Sequence, residues 1–217
     1  MRLPEGEARH VLKVLRGRDG DPLEVVDADG RLFLAELGPG DEARVLEVLE
    51  GYEEVGLSLY QAVPKGGRMD LVVEKATEVG ATRIVPLLTK RGLVRPGDAK
   101  VGRWRRVAEA AARQSLRMVV PEVTQPVSFS EAVREAGGEG VLLHNEPDLA
   151  PLEALVSAPA SLFVGPEGGW SEEELQAAEE AGLALAQLGP YRLRSETAGV
   201  VAAARARAAL ERSLRQS

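Results

Sequence analysis

The sequence predicts an α/β protein in which a small N-terminal β-barrel precedes a larger domain built on a mostly parallel, helix-covered sheet. Three observations carry this reading. Residues 1 to about 62 hold short alternating runs separated by turns. From Pro64 onward, apolar runs rich in β-branched residues alternate with segments of helical period. Between the two lies Pro64-Lys65-Gly66-Gly67, a composition suited to a linker. These divisions predict two domains, 1–62 and 66–217.

In chain order, 7–15 reads as one or two helical turns with His10, Lys13 and Arg16 polar. Pro22-Leu23-Glu24-Val25-Val26 and Arg31-Leu32-Phe33-Leu34-Ala35 flank Asp27-Ala28-Asp29-Gly30, a hairpin-type turn. Segments 42–49 and 55–62 alternate as two further strands of the barrel. The spacing then predicts a helix over 70–79 closed by Gly80, a buried strand over 83–88, and a long amphipathic helix over 99–116. Ser128-Phe129-Ser130-Glu131 is a capping box that opens a helix ending at Gly137-Gly138. Strand 140–144, a helix near 149–156 and strand 161–164 follow. A second capping box, Ser171-Glu172-Glu173-Glu174, precedes strand 184–188 and a last helix over 200–214.

Composition narrows the chemistry. Of the 217 residues, 44% are hydrophobic and 28% charged, ordinary values for a soluble globular chain. No run approaches the length of a membrane helix, and the N-terminus has no apolar core for a signal peptide, so a cytoplasmic protein with no membrane partner is expected. There are no cysteines, and the two histidines, His10 and His144, are far apart, so no metal site is expected. The net charge is −7, but residues 65–120 carry 13 Lys and Arg against 5 Asp and Glu. Such a segment suits a polyanion, or simply a solvated helix face.

In an open α/β sheet ligands bind beyond the carboxyl ends of the strands, and two late loops occupy that position. Gly165-Pro166-Glu167-Gly168-Gly169-Trp170 lets the backbone turn tightly and approach a ligand closely. Its Glu167 and the acidic turn behind it disfavour a phosphate and favour a cationic or neutral ligand, unless the loop is only a structural turn. The second loop, Gly189-Pro190-Tyr191-Arg192-Leu193-Arg194-Ser195-Glu196-Thr197-Ala198-Gly199, runs into the last helix. Ser195 or Glu196 caps that helix in this reading, while Arg194 and Glu196 are placed to meet a ligand between the loops.

These two loops, with Leu188-Gly189 and the upstream Glu74-Lys75-Ala76-Thr77-Glu78-Val79-Gly80, Arg103-Trp104 and Glu109-Ala110-Ala111-Ala112-Arg113-Gln114-Ser115-Leu116-Arg117, resemble the RsmE family of SPOUT RNA methyltransferases. The likeness runs from His10 onward; one departure is Lys90-Arg91-Gly92, where the family usually has Glu-Arg-Ser.

The resemblance implies a PUA-like N-terminal barrel, a C-terminal SPOUT domain with a trefoil knot over about 140–205, and a homodimer. It implies methylation of N3 of a uridine in 16S ribosomal RNA, within the small subunit, with S-adenosylmethionine as donor and S-adenosylhomocysteine as product. Carried onto this chain, the cofactor residues are Leu143, His144, Gly165, Pro166, Glu167, Gly168, Gly169, Leu188, Gly189, Leu193, Arg194, Ser195 and Thr197. Arg194 would stabilise the uracil anion or orient the base, and Glu196 would accept the proton unless its role is capping. RNA contacts are expected at Lys65, Arg68, Lys75, Arg91, Arg113, Gln114 and Arg117, with Arg9, His10 and Arg16 from the barrel. Arg113 and Arg117, four apart, would share a helix face; Trp104 either stacks a base or belongs to the core. Three other readings are a relative that methylates transfer RNA or a different ribosomal nucleotide, an RNA-binding or assembly factor that keeps the knot without turnover, and a nucleotide-binding protein that uses the glycine loop for phosphate. The lack of a Gly-Lys-Ser/Thr ending and the presence of Glu167 disfavour the last.

Overall fold

The computed structural model describes residues 1–27, 29–50 and 54–215. They form two compact units: Met1–Glu53 with Arg113–Val119, and Glu54–Ala112 with Val120–Ser217.

In the first unit, helix α1 (Glu5–Arg9) continues as a π-helical turn, His10–Val14. Strands β1 (Pro22–Val26), β2 (Leu32–Leu37) and β3 (Ala43–Val48) form an antiparallel meander in that order. The expected turn joins the first two: the backbone amides of Asp29 and Arg31 both donate to Asp27 Oδ1 at 2.9 Å. A small core of Leu3, Ala8, Ala35, Leu37 and Ala43 holds this unit together. The alternation seen in β2 has its cause here, since only one face of such a sheet is covered.

The second unit is an eight-stranded sheet of β4 (Leu57–Ala62), β5 (Arg83–Leu88), β6 (Glu122–Val123), β7 (Val127–Ser128), β8 (Gly140–Leu143), β9 (Ala150–Pro151), β10 (Ala160–Val164) and β11 (Ala184–Gln187). Every pairing is parallel, and the order is β6-β5-β4-β10-β8-β11-β9, with β7 also on β5. Helices α2 (Met69–Glu78), α3 (Asp98–Gln114) and α6 (Ser195–Leu214) cover one face, and α4 (Phe129–Ala136) and α5 (Glu172–Glu180) the other. Parallel strands buried on both faces read as near-continuous apolar runs, which is why β5 and β10 were legible as such. Both capping boxes are present, Ser128 with Glu131 and Ser171 with Glu174. Among the described residues, no helix is long and apolar enough to cross a membrane.

Three expectations are corrected. Segment 55–62 is no barrel strand: β4 sits between β5 and β10 at the middle of the large sheet, with five of its six residues buried. Leu57-Ser58-Leu59 imitates a half-exposed strand because the short Ser58 tolerates partial burial. In consequence Pro64-Lys65-Gly66-Gly67 is the loop after β4, inside the second unit, and no linker. The helix near 149–156 is replaced by β9 and a single 3-10 turn, Leu152–Ala154. Pro151, at ψ 146, pushes its surroundings toward extended backbone and donates no helical hydrogen bond.

The order of entry positions the site. β8 is laid down two places from β4, β10 later fills the gap between them, and β11 flanks β8 on the far side. The carboxyl ends of β8, β10 and β11 therefore lie side by side.

Candidate active site

Beyond those ends lies a cavity of about 590 Å³. Its wall is made by Arg91 after β5, His144 and Asn145 after β8, residues 165–170 after β10, and residues 192–195 leading into α6. A recess of about 90 Å³ adjoins it, sharing Leu143, His144 and Leu193 and adding Leu188, Gly189 and Tyr191 from the loop after β11. The location obeys the rule for open parallel sheets, where strand ends and helix starts leave loops free to meet a ligand.

The glycine loop is held from two sides. On one, Arg91 Nη1 donates to Gly168 O at 3.1 Å, and the Lys90 amide donates to Glu174 Oε1 at 2.7 Å. The Lys90 ammonium reaches Glu173 at 2.6 Å, and that hydrogen bond holds the Glu173 carboxyl down to about 2. On the other side, the Lys65 amide donates to Glu167 Oε1 at 3.0 Å. Arg68 lies 3.8 Å from the same carboxylate and 3.3 Å from Glu196 Oε1.

Three further contacts shape the floor. Trp170 Nε1 donates to Leu143 O at 2.9 Å, and its ring packs on Phe129 with centroids 5.1 Å apart. Ser195 Oγ donates to Gly165 O at 2.6 Å. Arg205 on α6 donates to Leu188 O at 2.6 Å while holding Glu153, whose carboxyl the guanidinium keeps below its ordinary range. Apolar Leu143, Val164, Leu193 and Ala198 complete a surface fit for an aromatic ring, with backbone groups and Arg91, Arg192, Arg194 and Glu167 for polar recognition.

Of the residues expected to meet a cofactor, Leu143, His144, Gly165, Pro166, Glu167, Gly168, Gly169, Leu193, Arg194 and Ser195 line the cavity. Leu188 and Gly189 line the recess. Thr197 and Glu196 are on neither wall. His144 is half-buried, with Nε2 3.2 Å from Glu146. The capping expectation for α6 fails: its N-cap is Arg194, with no side-chain cap, because Ser195 turns its hydroxyl to Gly165 and Glu196 turns to Arg68. Glu196 is buried, and its Oε2 has no hydrogen-bond partner among the described residues.

The residues expected to touch RNA fall into both units. Arg9, His10, Arg16, Arg113, Gln114 and Arg117 belong to the first, where Arg113 Nε stands 3.9 Å from Glu7. Arg113 and Arg117 do not share a helix face: α3 stops at Gln114, and Leu116 takes φ 55, so Arg117 lies beyond the turn. Lys65, Arg68, Lys75 and Arg91 belong to the second unit. Lys75 is already paired with Glu74 and Glu78, and hydrogen bonds to both raise its pKa. Trp104 is core, 3% exposed.

Asn145, Val164, Trp170, Arg192 and Ala198 line the cavity without having been singled out as ligand-contacting residues. Two signals were available: Trp170 directly follows the glycine loop, and Asn145 extends a strand end already marked by His144.

Comparison with known proteins agrees with this geometry. A family model described as an RNA methyltransferase domain matches residues 52–207. The chain is 34% identical to ribosomal RNA small subunit methyltransferase E of Synechocystis, over 96% of this chain and 73% of that protein. It is 32% identical to the protein of that name from Aquifex aeolicus, over 91% of this chain and 90% of the relative. Among solved structures, ribosomal RNA small subunit methyltransferase E from Neisseria gonorrhoeae, bound to S-adenosyl methionine, superposes with a TM-score of 0.79 at 31% identity. That match covers 97% of this chain and 92% of the other.

Proposed function

The chain belongs to the ribosomal RNA small subunit methyltransferase E family of RNA methyltransferases, and from that membership we propose that it methylates N3 of one uridine in 16S ribosomal RNA, using S-adenosylmethionine. The observation that carries the reading is the cavity at the ends of β8, β10 and β11. A volume of about 590 Å³ falls within the range of small-molecule sites. Its donor set fits the cofactor: apolar Leu143, Leu193 and Ala198 for an adenine, bare backbone in the glycine loop, and the Glu167 carboxylate near a ligand that carries positive charge.

When bound there, S-adenosylmethionine supplies an electrophilic methyl group. The chain's own residues do the rest. Gly165, Gly168 and Gly169 let the backbone approach the ligand, and Trp170 closes the floor against Phe129. Arg194, exposed on the cavity wall, stabilises the charge that spreads onto the uracil oxygens as N3 gives up its proton to solvent water. Alignment of N3 with the methyl group supplies the remainder, since such a displacement depends chiefly on positioning. Glu196 acts indirectly in this reading: its carboxylate faces Arg68, off the cavity wall, and keeps Arg68 beside Glu167.

For the RNA we assign Arg9, His10, Arg16, Arg113, Gln114 and Arg117 in the first unit and Lys65 and Arg91 in the second, all of them exposed or half-exposed polar groups. The three-stranded meander and its helix are read as part of a PUA-like barrel. The late insertion of β10 between β4 and β8 supports reading about 140–205 as a trefoil knot. A cytoplasmic homodimer acting on the small ribosomal subunit completes the proposal.

The test is methyl transfer from labelled S-adenosylmethionine to unmodified small subunits, large subunits and bulk transfer RNA in parallel. Label recovered as N3-methyluridine from the small subunit alone supports the proposal. Label confined to transfer RNA would overturn its substrate.

A further inference from the structure

Gln61 is a polar side chain in the middle of the large sheet with no exposed surface. Both protons of its amide are used: Nε2 donates to Ala62 O at 2.9 Å and to Ser195 Oγ at 3.0 Å. Ser195 Oγ therefore accepts from Gln61 and gives its single proton to Gly165 O, 2.6 Å away. One run of hydrogen bonds thus joins β4, the first residue of α6 and the first residue of the glycine loop.

We infer that Gln61 is a positioning residue for the cofactor pocket: acting through Ser195, it sets the direction of the Gly165 carbonyl and so the form of the glycine loop that meets the ligand. The inference rests on reading the cavity as the S-adenosylmethionine site. A hydroxyl rotates freely unless its lone pairs are claimed, and the Gln61 donor leaves Ser195 one orientation that satisfies both neighbours. Without that donor, the Ser195 proton can turn elsewhere and Gly165 O loses its partner in the cavity lining.

A second observation shows how closely Gln61 is fitted. Its Oε1 is buried without a hydrogen-bond partner among the described residues, and a Cβ built on Gly199 would lie 2.1 Å from it. Helix α6 thus carries a glycine in its second turn, where alanine would favour the helix, and the space so freed is taken by the Gln61 amide. A buried polar group held at the cost of both an orphaned acceptor and a helical glycine is poor economy for stability alone. Its hydrogen bonds lead to the cavity, which gives it a reason.

The experiment is calorimetric titration of S-adenosylmethionine into the full chain as wild type, Gln61→Leu, Ser195→Ala and the double variant. Each single substitution should raise Kd by about tenfold, the scale of one hydrogen bond made or lost beside a ligand. The double variant should lose no more than either single one, because both act through one chain of bonds. Stoichiometry should stay at the wild-type value, which a partly unfolded sample would not maintain. Unchanged Kd in the two single variants, or losses that simply add, would overturn the inference. Should Gln61→Leu fail to fold, Gly199→Ala probes the same contact from the helix side, and an unchanged Kd there would also overturn it. A wild-type chain with no affinity for the cofactor would instead overturn the reading of the cavity itself.

Discussion

Arg68 Nε stands 3.3 Å from Glu196 Oε1, across the gap between the start of α2 and the start of α6. The same guanidinium lies 3.8 Å from Glu167 in the glycine loop. A residue expected to grip RNA is thereby engaged with two carboxylates, one of which is buried. A buried carboxylate needs such a partner, since losing it leaves charge in a poorly solvated place.

Arg68→Ala is accordingly expected to destabilise the fold by about 1–3 kcal/mol, the usual cost of leaving a buried polar group unsatisfied. Thermal unfolding should fall by roughly 2–4 °C for each kcal/mol in a chain of this size. Adding Glu196→Gln should restore part of the loss, because the orphaned charge is gone. A double variant no more stable than Arg68→Ala would contradict this account.

Arg194→Ala should leave the affinity for S-adenosylmethionine within a few-fold of wild type. Turnover should drop by on the order of a hundredfold or more, the scale of removing one donor to a developing oxyanion. Single-turnover methyl transfer, with cofactor binding measured separately, decides it. Near-wild-type turnover would remove Arg194 from the mechanism.

Gly168→Val should weaken cofactor binding strongly. A Cβ at this position would stand 3.3 Å from Arg91 Cβ, so a branched side chain must displace Arg91 and with it the hydrogen bond to Gly168 O. Affinity retained in this variant would mean the loop is structural only.

Stability should depend on acid through Glu153. In the folded chain the Arg205 hydrogen bond holds its pKa below the ordinary glutamate value of 4.5. A depressed carboxylate contributes stability above its unfolded pKa and loses it as pH falls through the folded one. The contribution should be complete above about pH 5 and fade as the pH drops below 4.5. Glu153→Gln should flatten the stability profile over that interval, measured by denaturant unfolding at a series of pH values. Because both side chains are part-exposed, the change should be small, about 1 kcal/mol or less.

Much of the second unit was legible in the sequence because its signals are local. The two capping boxes need only Ser and Glu three residues apart, and both formed. The strand over 83–88 needed only an apolar β-branched run, and β5 has those bounds. The glycine loop and the approach to α6 were recognisable as motifs, and eight of the expected cavity-lining positions lie in them. Where local signals compete, the reading went astray. Leu57-Ser58-Leu59 alternates like an exposed strand yet lies at the sheet's middle, and the helical composition of 149–156 yields to Pro151.

The sequence by itself determined most of the strands and helices of the large sheet, the two capping boxes, and that two glycine-bearing loops lie beyond the ends of parallel strands. Tertiary structure alone decided that β4 belongs to that sheet, that Arg68 faces carboxylates, and that Gln61 reaches Ser195, 134 residues away. The physical reason is that periodicity and capping record what a segment needs from its immediate neighbours. The identity of a buried side chain's partner depends on strand order, and no interval of sequence carries that.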